Sequence, residues 1–253
     1  MGRGLSELGT DRHFRLPTSD YRLVTATRYV TPLREGGSMP AVVEADDDGL
    51  YVLKFRGAGQ GPRALVAELV AGEIGRALGL AVPEIVFIAL DPLLGRAEPD
   101  SEIKALIEGS AGLNLALDFL PGALGFDPLE VGRIDAATAS AVVWFDALVT
   151  NIDRTPRNPN LLWWGGRLWL IDHGAALYFH HAADDWAGRS RLPFPPIKDH
   201  VLLPAATALA EADAALADRL DADRLAAVLV AVPDEWLGER PGLGGPAAQR
   251  AAY

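Results

Sequence analysis

Three side chains in the middle of the chain carry oxygen atoms at a spacing suited to phosphate chemistry. Asp153 and Asn158 share one polar loop, N-I-D-R-T-P-R-N, and Asp172 opens the tripeptide Asp172-His173-Gly174. Between them run two apolar stretches, Leu161 to Trp164 and Arg167 to Ile171, separated by Gly165-Gly166. A Gly-Gly pair between such stretches predicts a two-residue hairpin turn. A hairpin returns the chain to its start, so Asn158 and Asp172 are expected side by side, with Asp153 on the same loop. Two carboxylates and an amide oxygen make a hard donor set of the kind that holds Mg²⁺ together with substrate phosphates. D-x-x-x-x-N, a short hairpin and D-x-G form the layout of a protein-kinase-like catalytic centre. There Asp153 would accept the proton of a substrate hydroxyl, and Asn158 and Asp172 would hold the metal. Taken singly, Asp153 and Asn158 also fit plain turn residues; the combination favours chemistry.

These groups need a scaffold, and the preceding residues supply one. Tyr21 to Val30, Ala41 to Ala45 and Leu50 to Phe55 are rich in Val, Thr and aromatic residues and predict strands. Gly36-Gly37-Ser38 lies between the first two, where glycines would let backbone approach phosphates. Lys54 stands at the end of the third strand between apolar neighbours, placed to pair with those phosphates. Pro62 to Leu80 predicts a helix with an apolar stripe at Val66, Leu69, Val70, Ile74 and Ala77. A second face carries Ala64, Ala71, Gly72 and Gly75 with one long side chain, Glu68, as a partner for Lys54 would require. Glu73 is expected at the surface beside Arg76. Strands follow at Glu84 to Leu90 and Gly112 to Leu120, around a short helix from Glu102 to Ile107 capped by Ser101. By element order alone, the backbone of Asp118, Phe119 and Leu120 would meet an adenine edge.

Beyond Pro121-Gly122 the composition shifts toward helix. Ile134 to Thr150, capped by Asp135, is expected to bury Val142, Phe145 and Leu148 and to deliver the chain into the Asp153 loop. Tyr178 to Pro204 is irregular and fits an activation-loop counterpart or a substrate-binding segment. Two helices are expected at Ala205 to Leu220 and Asp221 to Val232. The expected organisation is a flexible arm at 1–20, a nucleotide-binding lobe at 21–121, a catalytic lobe at 122–237 and a frayed tail at 238–253.

The 253 residues carry 34 acidic against 23 basic side chains, which argues against a nucleic-acid backbone as partner. With no cysteine, disulfides, thiolate metal sites and cysteine nucleophiles are excluded. His180 and His181 are adjacent, so their side chains are expected to point apart, and zinc-ligand spacing is absent. Neither G-x-S-x-G nor G-x-x-x-x-G-K-[ST] occurs. No signal peptide or membrane-length apolar run is visible, so a cytoplasmic location is expected.

The sequence resembles the HipA-like kinases, in particular the shorter bacterial HipA-like domain proteins. The resemblance runs over about residues 25 to 205. It rests on Gly36-Gly37-Ser38, Tyr51-Val-Leu-Lys54-Phe, Leu65-Val-Ala-Glu68, Gly79-Leu-Ala-Val-Pro83, Asn151 to Leu162, and Leu170-Ile-Asp172-His-Gly174. It implies an α+β, two-lobed protein-kinase-like fold with an antiparallel-sheet N-lobe and a mainly helical C-lobe. It also implies ATP, Mg²⁺ and transfer to a hydroxyl, with Asp153 as base, Asn158 and Asp172 on metal, and Lys54 on the phosphates. Thr155 stands where larger HipA toxins carry histidine, and much of their length is missing, so their toxicity and target are not implied. A protein Ser/Thr is the leading acceptor; a small-molecule or lipid hydroxyl, AMP transfer, and a nucleotide-binding pseudokinase acting as an interaction module stay open.

Overall fold

The computed structural model describes residues 21–33, 39–59, 61–182, 185–240 and 242–253. The Gly36-Gly37-Ser38 turn and the 1–20 arm lie outside them. Five strands form a closed barrel: β1 (Leu23–Pro32), β2 (Ala41–Ala45), β3 (Leu50–Lys54), β4 (Ile85–Leu90) and β5 (Gly112–Asp118), in the order β1-β2-β3-β5-β4. The expectation of a purely antiparallel sheet needs correction. Strands β1 and β4 pair in parallel, Leu23 with Phe87 through Thr25 with Ala89, while the other neighbours are antiparallel. An odd number of strands cannot alternate direction all the way round a ring, so closure requires one parallel seam.

Alternation along the strands separates two cores. On β4, Val86 and Ile88 face the barrel interior with Val24, Val43, Leu53 and Ala116. Ile85 and Phe87 face outward, with Leu115 and Leu117 of β5, into the main core. Helix α2 (Ser101–Gly109) joins the barrel core through Ile103 and Ile107. Its cap is Asp100, whose carboxylate accepts the N–H of Glu102 and Ile103, and not Ser101 as the sequence suggested.

Helix α1 (Pro62–Ala77) runs through the main core and is buried continuously from Leu65 to Gly75, so its apolar stripe is only part of a fully enclosed cylinder. The small face works as expected at Gly72, where a Cβ would stand 2.6 Å from Ile85 Cδ1. Glu73 is not the expected surface residue. It is buried, 3.5 Å from Arg76, and burial raises its carboxyl above the usual range.

Past the barrel, β6 (Leu124–Gly125), β7 (Leu161–Trp164) and β8 (Arg167–Leu170) form a small antiparallel sheet. Helix α3 (Ala136–Leu148) precedes β7, and the carboxylate of Asp135 accepts Thr138 N–H as its cap. Val142 and Phe145 of α3 are buried, whereas Leu148, expected inside, is half exposed. It sits in the last helical turn, where the chain leaves for the Asp153 loop. Short 3₁₀ turns and α4 (Trp186–Arg189) make up the segment after Gly174. Helices α5 (Leu209–Leu216), α6 (Ala222–Val230) and α7 (Asp234–Leu237) follow. The tail expected to fray instead forms α8 (Pro246–Ala252). Gln249 is buried, with its amide donating to Gly238 O and Gly244 O at 2.9 Å each. Tyr253 packs on Phe179, His180 and Trp186. Among the described residues, no helix is long and apolar enough to cross a membrane.

Candidate active site

The hairpin predicted from Gly165-Gly166 is present. Both glycines adopt positive φ, 56° and 74°, as a two-residue turn joining β7 to β8 requires. Its open end is stitched by Ile171 N–H donating to Asn160 O at 3.1 Å, so the residues before β7 and after β8 are neighbours. The loop folds back on itself at Thr155–Asn158, where the two residues exchange backbone hydrogen bonds at 3.1 Å each. That turn swings Asn158 Nδ2 to within 2.7 Å of Asp153 Oδ2. Asn160 Nδ2 reaches the same oxygen at 3.4 Å. Both amides thus donate to one oxygen of Asp153 and leave the other unclaimed by them.

Asp172 lies close enough for its charge to act on Asp153. Burial first, then the Asp172 carboxylate, push Asp153 above the ordinary carboxyl range, and the two asparagine hydrogen bonds offset part of this. Asp172 has φ 54° and Asn160 φ 49°. Non-glycine residues seldom occupy this left-handed region, and they concentrate where function fixes the backbone.

Lys54 arrives from the barrel. Leu53 is buried in the barrel interior, so Lys54, one residue on, points to the opposite side, toward α1. Its Nζ stands 2.7 Å from Asp172 Oδ1 and 3.3 Å from Glu68 Oε2. The pairing expected between Lys54 and Glu68 is therefore present. Burial disfavours the ammonium, but Glu68 and Asp172 outweigh it and raise Lys54 above its ordinary range. Glu68 is likewise penalised by burial, and Lys54 and His173 overcome this to hold it well below the usual carboxylate range.

His173 was missed by the sequence reading. It is fully buried, its backbone N–H donates to Glu68 Oε2 at 3.1 Å, and its Nδ1 lies 3.3 Å from Glu68 Oε1. With Glu68 as acceptor, Nδ1 carries the proton, and Nε2 is left without a partner. Its place between Asp172 and Gly174 was the available signal, but nothing local named Glu68 as its partner.

The adjacent histidines do not point apart. His180 Nε2 and His181 Nε2 lie 3.2 Å apart, because a 3₁₀ turn entered from a left-handed Leu177 replaces the extended backbone that the expectation assumed. At the proposed adenine strand end, the N–H groups of Asp118 and Phe119 already donate to Glu84 O and Leu50 O. Leu120 N–H donates to no group among the described residues. Among the described residues, no group of three His, Cys, Asp or Glu side chains could hold a metal ion. A cavity of about 270 Å³ bounded by Leu80, Ile134, Val142, Trp163 and Leu168 includes none of the residues of this cluster.

A structure of the proinflammatory kinase CtkA of Helicobacter pylori superimposes with a TM-score of 0.52 over 81% of this chain and 86% of that one, at 14% identity, a likeness of fold. Two structures of the Golgi casein kinase, one with Mn/ADP bound, match more loosely, with TM-scores of 0.41 and 0.40 at 14% and 13% identity, each over 84% of this chain and 71% of that one. Among curated proteins none matches. The family model described as HipA-like kinase matches residues 26–247, and the chain belongs to that family.

Proposed function

We propose that the protein is an ATP- and Mg²⁺-dependent kinase that transfers the γ-phosphate to a hydroxyl, with the side chain of a protein Ser or Thr as the leading acceptor. The observation that carries this reading is the convergence of Lys54, Glu68, Asp153, Asn158 and Asp172, drawn from a strand, a helix, a loop and a hairpin end. In this reading the chain divides into two lobes, 21–121 to hold nucleotide and 122–237 to carry the Asp153 loop.

In this reading Lys54 pairs with the nucleotide phosphates, and Glu68 keeps the ammonium in place. Asp153 takes the proton of the acceptor hydroxyl as its oxygen attacks the γ-phosphorus and the bond to the β-phosphate oxygen breaks. The two amide donors on Oδ2 fix the carboxylate's orientation and leave the other oxygen for the incoming hydroxyl. Asp172 and the amide oxygen of Asn158 would hold Mg²⁺; their hard oxygens suit it, and a divalent cation relieves the crowding of charge between Asp153 and Asp172. When bound, the ion neutralises charge on the β- and γ-phosphates. The glycine turn at Gly36-Gly37-Ser38 is proposed to cover the phosphates. The adenine edge is proposed to lie against Asp118 to Leu120, meeting Leu120 N–H, the one such group there left without an acceptor.

Thermal denaturation with ATP, with and without Mg²⁺, tests the binding half, since a ligand that binds only the native state raises the midpoint. Mass spectrometry of candidate acceptors, and of the protein itself, tests the transfer half, the added mass separating phosphate from AMP. A midpoint unmoved by ATP and Mg²⁺ would overturn the reading.

A further inference from the structure

Beneath the Asp153 loop lies a second set of charges that the proposed chemistry does not use. Asp146 of α3 is fully buried, and so is Arg154, the residue after Asp153. Arg154 Nε donates to Asp146 Oδ2 at 2.6 Å. His200 Nε2 meets the same oxygen at 2.8 Å, and Asn151 Nδ2 donates to Oδ1 at 3.0 Å. The tautomer of His200 follows from its surroundings. Leu202 N–H donates to His200 Nδ1 at 3.0 Å, so Nδ1 is the acceptor and the proton sits on Nε2, facing Asp146.

Each partner of Asp146 reaches a different part of the site. Asn151 Oδ1 accepts the backbone N–H of Asp153 at 3.1 Å. Arg154 Nη1 donates to the backbone oxygen of Asn160, one of the two asparagines on Asp153, and, at 3.4 Å, to that of Ile171, the residue before Asp172. Val201 N–H donates to Arg154 O at 3.0 Å, so the chain around His200 is joined to the Asp153 loop directly here and, through Asp146, at His200. The cluster links α3, the Asp153 loop, the hairpin end and the segment running to Pro204.

We propose that His200 is a positioning residue: by its Nε2 hydrogen bond to Asp146 it ties the segment ending near Pro204 to the loop carrying Asp153, so that the seating of this segment sets the alignment of the Asp153 carboxylate. The proposal rests on the reading of Asp153 as the base, and it deepens that reading by making the 197–202 stretch part of the catalytic geometry. Misplacing a reacting group by about 1 Å costs on the order of 10²-fold in rate.

Two conservative substitutions separate this role from a local one. His200→Gln keeps a donor near the Nε2 position for Asp146 and loses the acceptor for Leu202 N–H. His200→Asn keeps an acceptor near Nδ1 and loses the donor to Asp146. The expected result is that His200→Gln retains most of kcat while His200→Asn loses about 10- to 100-fold, with KM for ATP little changed in both. Amide hydrogen exchange of peptides covering 151–160 should speed up in His200→Asn and stay near wild type in His200→Gln, with barrel peptides unchanged in both. The opposite order, or equal exchange in the two variants, overturns the proposal and leaves His200 as a turn residue for Leu202. If the wild-type protein transfers nothing to any acceptor, the kinase reading fails, and the exchange comparison still decides whether His200 holds the loop.

Discussion

Two clusters of charge, one around Lys54 and one around Asp146, adjoin where Arg154 follows Asp153, and they differ in exposure. Around Lys54, the Asp172 side chain keeps 29% of its surface and Lys54 10%; around Asp146, both Asp146 and Arg154 keep none. The first cluster keeps some contact with solvent, as the proposed binding of nucleotide requires. The second is sealed, and nearly all its donors and acceptors are already matched within the chain, Arg154 Nη2 excepted. Sealed charges must find their partners internally, because an unpaired buried ion is costly.

Substitutions that set the clusters against each other sharpen this contrast. The largest expected effect is on turnover: Asp153→Asn should lower kcat by roughly 10²- to 10⁴-fold while the ATP–Mg²⁺ thermal shift persists. Full turnover in that variant removes Asp153 from the base role. Next, Asp146→Ala should destabilise the fold by about 3–5 kcal/mol in denaturant unfolding, since it strands Arg154 in a dry site. Replacing both partners, as in Asp146→Leu with Arg154→Met, should cost less than the single change; if the double variant is the worse of the two, the sealed cluster is not an ion-pair architecture.

Acid titration grades the clusters further. Burial, with His181, Arg63 and Arg240 nearby, lowers His180 to about 3. Below about pH 6.5 the unfolded chain therefore takes up a proton that the native protein refuses, and stability declines as pH falls toward 3. Glu68 and Asp146, both held below their ordinary range, add stability that is present above about pH 4 and lost as pH drops further. Unfolding midpoints from pH 7 to 3 should show the first decline, and His180→Phe should flatten it. The smallest effect is Asp135→Ala, expected to cost about 1 kcal/mol through the lost α3 cap.

The same contrast explains what could be read from the sequence. Gly165-Gly166, the Asp135 cap, and Lys54 at a strand end are local signals, and each element appeared where its residues pointed. The Asp146 cluster gave no such signal. Arg154 is eight residues away from Asp146 and His200 is 54, and both lie beyond the end of the helix that carries Asp146, so no single element's period links them. Glu73 looked exposed because a carboxylate near an arginine commonly is; the enclosure of α1 by elements distant in sequence decided otherwise. The C-terminal stretch is rich in Gly, Pro and Ala, so composition suggested disorder, yet Gln249 ties the stretch to itself and Tyr253 packs on Phe179, His180 and Trp186 of the folded body.

The parallel seam of the barrel carries a practical lesson. Residues Leu23 to Thr25 form it, and the family match starts only at residue 26. A recombinant fragment trimmed to 26–247 would leave the outer rim of β4 bare and also remove most of α8 with Tyr253. A bare strand rim invites intermolecular pairing, so such a fragment should aggregate more readily than the 253-residue chain.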